Sequence, residues 1–175
     1  MPLSDTLSLS LLKNGASMIG TGLLYGFLIP IAPFPRLALT AHTQFVMEGM
    51  FVLCAGLVLQ SKPAGLPKDV DTLAQSLGKW QTRLVYWGAT ACWIPLTFEA
   101  LNAWWGTRQT LSIAAEAAHI LTDGRDWQET VMFLAHIPPA LSMATLWPVI
   151  VWKLFSLPGA RVSNSQRSTV RVKNK

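Results

Sequence analysis

The sequence predicts an all-α fold, a bundle of four transmembrane helices. Hydrophobic residues make up 51% of the 175 residues and charged residues only 13%, whereas an average soluble domain is about 25% charged. Four apolar stretches each have the roughly 20 residues that a helix needs to cross the hydrocarbon core of a bilayer. None of them shows the strict alternation of a membrane β-strand. The chain is therefore expected to be an integral, multi-pass membrane protein.

The predicted spans belong to one membrane domain, residues 1–157. They are about Asn14–Ala32, Ala38–Leu59, Leu84–Trp105 and Val131–Phe155. Three prolines between Pro30 and Pro35 end the first span and predict a short, stiff turn. The long connection Gly106–Glu129 has room for a surface helix around Ser112–His119. Residues 158–175 are basic and rich in Ser and Asn, which predicts a disordered tail.

The positive charge is distributed as in a membrane protein. The formal charge is +5, but the basic residues flank apolar spans or lie in the tail and form no continuous patch, so nucleic-acid binding is not expected. With four spans both termini share a side, and most Lys and Arg residues lie there, which predicts cytoplasmic termini. Several tryptophans near span ends are expected to be interfacial anchors, namely Trp80, Trp104, Trp105, Trp127 and Trp152.

Several polar residues lie inside the apolar spans. Such residues are costly in lipid and usually face a bundle interior or a cavity. They are His42, Gln44 and Glu48 in the second span, Glu99 and Asn102 in the third, and His136 in the fourth. These residues are the first candidates for a functional site.

His42 and Gly49 share a helix face because they are seven positions apart. A histidine above a glycine groove can admit a flat group such as a porphyrin, and this makes both residues candidate cofactor contacts. The alternative is close packing of two helices at the glycine, and spacing alone favours packing. For His42, metal ligation and an interfacial hydrogen bond are equally compatible with the sequence.

The other candidates also have two interpretations. Glu48 could donate a proton or orient a substrate, or it could be a polar clamp between helices. Glu99 lies one turn after the helix-kinking Pro95 and shares a face with Asn102, which suggests a cavity, although Glu99 could instead reach the interface. Tyr86 could be a proton donor or an anchor. His136, beside Pro138, could be a second metal ligand or a structural histidine.

The segment Pro35–Leu59, PRLALTAHTQFVMEGMFVLCAGLVL, resembles the second span of hydroxylaminobenzene mutase proteins. That family has a Pro-Arg turn, an Ala-His pair and an Asn-Gly-Met element before an apolar run. Tyr86–Leu96 is similar to the family's Tyr-Gly-x-x-Ala-Asn-Trp stretch, and Asp126–Leu134 to its Gln-Glu start of the fourth span. The same Ala-His pattern occurs in styrene oxide isomerase, a related small membrane enzyme.

The resemblance implies a ferric haem b and a homotrimer. In styrene oxide isomerase the matching histidine is the axial haem ligand, and here it is His42. The isomerase's substrate-placing Asn is replaced by Glu48, and Cys92 stands where the mutases have an Asn in the third span. Tyr86, Glu99 and Asn102 are candidates for the roles of that enzyme's third-span Asp and Tyr.

The implied activity is an intramolecular rearrangement of a small apolar substrate that enters from the bilayer. We expect an epoxide to be converted to a carbonyl compound, with the haem iron as Lewis acid. One alternative is a mutase that moves a hydroxyl group of an arylhydroxylamine from nitrogen to the ring. A second is a membrane cytochrome in which His42 and His136 both bind haem. A third is a non-enzymatic four-helix membrane protein.

Overall fold

A computed structural model of the chain describes residues 3–107 and 124–158, and every regular element in these ranges is helical. The α-helices there are α1 (Leu3–Tyr25), α2 (Pro35–Gln60), α3 (Lys79–Ala91), α4 (Trp93–Trp105) and α5 (Asp126–Ser156), and short 3-10 helices cover Gly26–Ile31 and Ala74–Ser76. The all-α prediction is confirmed. The surface helix predicted around 112–119 and nearly all of the predicted disordered tail lie outside the described residues.

Three stretches are long and apolar enough to cross a membrane: Thr6–Ile31, which joins α1 to its 3-10 extension, and the helices α2 and α5. The predicted third span is instead two helices of 13 residues each, each about 20 Å long and short of the roughly 30 Å apolar core. The predicted third span, Leu84–Trp105, therefore lies across the break between α3 and α4. The count of four spans stays a prediction, which now requires α3 and α4 to cross in series.

The break between α3 and α4 has a local cause. Pro95 has no N–H to donate to the carbonyl of Ala91, so the hydrogen-bond ladder is interrupted there. Cys92 between the helices keeps right-handed helical angles (φ −59°, ψ −24°), which indicates a kink rather than a reversal. The Asn14 amide of α1 donates to the Ala89 carbonyl at 3.2 Å, and its oxygen accepts from the Trp93 indole. Asn14 therefore holds both sides of the break.

The antiparallel pair α1–α2 is packed through glycines. A Cβ atom added at Gly49 would lie 2.9 Å from the Gly15 carbonyl oxygen and from the Ile19 nitrogen. One added at Gly22 would lie 2.7 Å from the Cβ of Phe45. The two backbones are therefore in direct contact, as in membrane helix pairs that associate through small residues.

We expect Gly15→Ala to destabilise the protein by about 1–3 kcal/mol. A Cβ atom there would meet the Gly49 oxygen and the Leu53 nitrogen, both backbone atoms, at 2.6 Å, so the helices must separate. Gly20→Ala in the same helix is the matched control, because nothing lies within 4 Å of its added Cβ, and it should be neutral or stabilising. Unfolding free energies in detergent micelles measure both, and equal effects would contradict this packing.

Candidate functional site

A cavity of about 410 Å³ lies between α2, α4 and α5. Its lining combines one carboxyl and one imidazole group with apolar side chains, from Glu48, Pro95, Phe133, His136, Ile137, Ala140 and Met143. Phe133 and Ile137 are also exposed on the outside of α5, so the cavity reaches the lipid-facing surface. An apolar molecule can therefore approach the two polar groups from the bilayer.

Glu99 and His136 form a buried pair beside this cavity. The Nε2 atom of His136 lies 2.9 Å from Oε1 of Glu99, and Nδ1 lies 2.6 Å from the Met132 carbonyl oxygen. A carbonyl only accepts, so Nδ1 carries a proton and donates to Met132. The proton between Nε2 and Oε1 is then shared by an acid and a base, and this pair can take up or release a proton.

Glu48 lines the cavity, and one of its carboxyl oxygens has no hydrogen bond among the described residues. Its Oε2 atom is buried and has no partner among the described residues. Glu48 still interacts electrostatically with Glu99 and His136, which places three ionisable groups from three helices close together. Buried polar atoms are almost always paired, so an unpaired carboxyl oxygen on a residue that lines a cavity makes Glu48 a candidate to contact a ligand.

The charges of this group do not balance within the described chain. One imidazolium can offset one carboxylate, and Glu99 already holds His136 at hydrogen-bond distance. A second buried carboxylate would have no counter-charge of its own, which is costly in an apolar site. The described residues contain no group of three His, Cys, Asp or Glu placed to hold a metal ion, so the arrangement suits proton exchange and hydrogen bonding.

His42 lies on a different side of α2 from this cavity. Its Nδ1 atom is 2.7 Å from the carbonyl oxygen of Gly22 in α1, so Nδ1–H donates and Nε2 keeps a free lone pair. No described residue bonds to Nε2. The ring is half-buried, and Leu39, one turn earlier on α2, is 52% exposed. The bond to Gly22 selects, in a neutral ring, the tautomer whose Nε2 can bind a metal, and an apolar outer face of α2 lies nearby.

Gly49 and Tyr86 are neither in the lining of the Glu48 cavity nor a hydrogen-bond partner of His42. Gly49 is buried against Gly15 and Ile19, so α1 fills the space where a cofactor was predicted. The position of Gly49 matches the alternative that this glycine allows two helices to pack closely. Tyr86 lies on α3, where its ring contacts Trp87 and it packs beside the apolar core. It does not line the cavity that contains Glu48.

Asn102 is fully buried at the end of α4. Its side-chain oxygen accepts from the backbone N–H of Thr107 at 2.9 Å and from the Thr107 hydroxyl, and its carbonyl accepts from Gly106 at 2.9 Å. It therefore fixes the turn after the helix. Pro95, Glu99 and Asn102 do share one buried face, as predicted, but only Pro95 lines the cavity and only Glu99 pairs with His136.

His136 is the site residue whose function the sequence did not favour. The nearby Pro138 suggested a structural histidine. In the structure, His136 lines the cavity and forms a hydrogen bond with Glu99. One signal was present. In an antiparallel bundle the end of the third span lies beside the start of the fourth, and Glu99 and His136 are six and five residues from those predicted ends.

We expect His136→Leu to destabilise the protein by about 3 kcal/mol, because breaking a buried ion pair leaves the other charge uncompensated. Glu99 is 2% exposed, so bulk solvent cannot readily replace its partner. The double variant His136→Leu with Glu99→Met removes both polar groups and should recover most of that stability. Unfolding in detergent measures the three free energies. Additive losses in the double variant would show that the two side chains do not interact.

The comparisons with known proteins agree with this architecture. Residues 7–69, which contain most of α1, all of α2 and His42, match the family model for styrene oxide isomerase. The chain is 29% identical to the hydroxylaminobenzene mutase HabB of Ectopseudomonas oleovorans over 151 residues, 86% of this chain and 83% of that protein. No solved structure matches significantly. The resemblance to these proteins, indicated by Pro35–Leu59, is confirmed, and both names describe an isomerase or a mutase.

Proposed function

We propose that this protein is a membrane isomerase that converts a small apolar epoxide to a carbonyl compound, with ferric haem b bound by His42. The observation that carries the proposal is the hydrogen bonding of the His42 ring. Its Nδ1–H donates to the Gly22 carbonyl, and no described residue forms a hydrogen bond with Nε2. The histidine also lies within residues 7–69, the part that matches the styrene oxide isomerase family model.

The residues around His42 fit such a group. A ligating histidine almost always donates its other ring N–H to a carbonyl or carboxylate, which fixes the tautomer. Here Gly22 supplies that carbonyl. Gly26 lies so close that an added Cβ would be 3.0 Å from Nδ1. The backbone at Gly26 therefore packs against the ring and restricts its movement. Bound there, ferric haem would supply a Lewis-acid iron that can polarise a substrate oxygen.

The chain's own contribution is the cavity beside Glu48. We infer that its neutral carboxyl group donates a hydrogen bond to the substrate oxygen, because within residues 3–107 and 124–158 Oε2 has no partner and a second negative charge has no counterion of its own. The apolar walls of Phe133, Ile137 and Met143 exclude water, which delays hydrolysis of a cation-like reacting carbon. The Glu99–His136 pair provides a fixed dipole next to Glu48.

Two copies are needed to bring these parts together. His42 and Glu48 are six positions apart and point about 120° away from each other on α2, and they contact different helices. We propose a homotrimer in which the His42 face of one subunit meets the Glu48 cavity of its neighbour. Cross-linking and mass measurement of the detergent-solubilised protein test this assembly, and an active monomer would contradict it.

The arylhydroxylamine mutase is the second candidate, favoured by two observations. The relative that matches 86% of the chain is a hydroxylaminobenzene mutase. Moving a hydroxyl group from nitrogen to a ring carbon also requires loss of a ring proton, and the cavity combines a carboxyl group with a pair that exchanges a proton. The cytochrome alternative has less support, because both ring nitrogens of His136 are already bonded.

A direct assay separates the two enzymes. Purified protein is incubated with styrene oxide and, separately, with hydroxylaminobenzene, and the isomeric products are quantified. We expect conversion of the epoxide to its carbonyl isomer without incorporation of solvent deuterium in ²H₂O, because a hydrogen migrates within the molecule. Turnover of hydroxylaminobenzene alone would replace the first candidate with the second, and turnover of neither would reject both.

A further inference from the structure

A second cavity, of about 550 Å³, follows one face of α3 where that helix packs beside α5. The α3 residues recur at helical spacing of three and four, and two residues of α5 close the other side; together they are Trp80, Arg83, Leu84, Trp87, Gly88, Ala91, Leu141 and Thr145. None of these residues lines the cavity that contains Glu48. This groove is therefore separate from the candidate active site.

The groove has the length of one bilayer leaflet. From Trp80 to Ala91 the helix rises about 16 Å, roughly half of the 30 Å apolar core. Trp80 is 79% exposed at the start of α3, where an interfacial anchor is expected. Leu141 lies near the middle of α5. The groove thus runs from the membrane surface to the centre of the bilayer.

The polar and apolar parts of the groove are at different ends. Arg83 is exposed one turn below the start of α3, and no described residue forms a hydrogen bond or ion pair with it. Deeper in the groove the lining is apolar, and the hydroxyl of Thr145 donates to the carbonyl of Leu141 within its own helix. An occupant must therefore have an anionic group at the surface and an apolar chain below it.

We propose that this groove binds one anionic phospholipid, with an acyl chain between α3 and α5 and the phosphate on Arg83. The guanidinium forms two parallel hydrogen bonds with a phosphate, and Lys79, one turn earlier on α3, adds to the positive potential. Trp80 and Trp87, both largely exposed, flank the chain. The predicted cytoplasmic position of this end of α3 matches the leaflet that carries anionic lipids.

Native mass spectrometry of the full chain in detergent tests the headgroup. The protein is titrated with phosphatidylglycerol and phosphatidylcholine of identical chains. We expect preferential retention of phosphatidylglycerol, and Arg83→Gln should weaken that lipid's binding about fivefold while leaving phosphatidylcholine unchanged. Arg36→Gln, which removes the same charge from an exposed residue at the start of α2, should have no effect. An equal preference in Arg83→Gln and the unsubstituted protein would overturn the proposal.

A second variant tests the acyl chain, and a third tests the competing occupant. Ala91→Leu narrows the deep end of the groove and should reduce retention of both lipids. Unchanged retention would overturn the proposal.

Trp87→Cys in a Cys54→Ser background places a thiol in the groove wall. Disulfide-linked dimers through this residue in lipid vesicles would show that a second copy covers the groove and would also overturn it.

Discussion

His42→Ala is expected to abolish haem binding and to lower turnover about a thousandfold or more, while the protein still inserts and folds. The bound iron's Lewis acidity is worth several kcal/mol of transition-state stabilisation, and His42 is the residue whose free Nε2 can hold it. The ring is half-buried and makes one hydrogen bond, to Gly22, so its removal costs little fold stability. Absorption spectroscopy and product assays on the purified variant measure both effects.

Two further variants show whether the loss is specific to the imidazole. Gln44→Ala, two residues away and also half-buried, should keep haem and activity. Adding free imidazole to His42→Gly should restore part of the haem absorption, since the small ligand can occupy the vacated volume. Full haem content and full turnover in His42→Ala would reject the assignment of His42.

Glu48→Leu is expected to lower turnover about 100- to 1000-fold with haem content unchanged. The lost group is a carboxyl that lines the cavity and whose Oε2 has no partner among the described residues. The same change should stabilise the fold by about 1–3 kcal/mol, because it removes a buried, unpaired polar atom. A gain in stability combined with a loss of activity is typical of functional residues. Steady-state kinetics and unfolding in detergent provide the two measurements.

Glu48→Gln distinguishes the two roles that the sequence left open for this residue. An amide keeps an N–H donor but cannot carry a negative charge. If Glu48 donates a hydrogen bond as a neutral acid, Glu48→Gln should retain far more activity than Glu48→Leu. Equal activity of the two variants would contradict the neutral-donor role, and full activity of Glu48→Leu would remove Glu48 from the site.

Hydropathy alone predicted most of the fold. The second predicted span, Ala38–Leu59, corresponds to α2, Pro35–Gln60, because Pro35 is suited to the first turn of a helix and the apolar run ends at Gln60. The third predicted span, Leu84–Trp105, falls on α3 and α4, and its division into two helices was not predicted. Pro95 predicted a kink. Whether the helix only bends or divides in two depends on tertiary contacts, such as those of Asn14 with Ala89 and Trp93.

The site was only partly predictable, because a contact across helices depends on how each helix is rotated. The pattern identified His42, Glu48 and Glu99 as costly polar residues in lipid. It could not show that Glu99 meets His136, 37 residues away, while Asn102 on the same face closes a turn. Glycine spacing likewise could not distinguish a cofactor groove from helix packing at Gly49, since both require a small residue.

The visible absorption spectrum of the detergent-purified protein tests the central claim most directly. If His42 is the sole protein ligand of a ferric haem b, the protein is coloured and shows a high-spin ferric spectrum that shifts on adding dithionite and on adding a small ligand for the open position. A colourless protein, or a low-spin spectrum of a haem bound by two histidines, would contradict it.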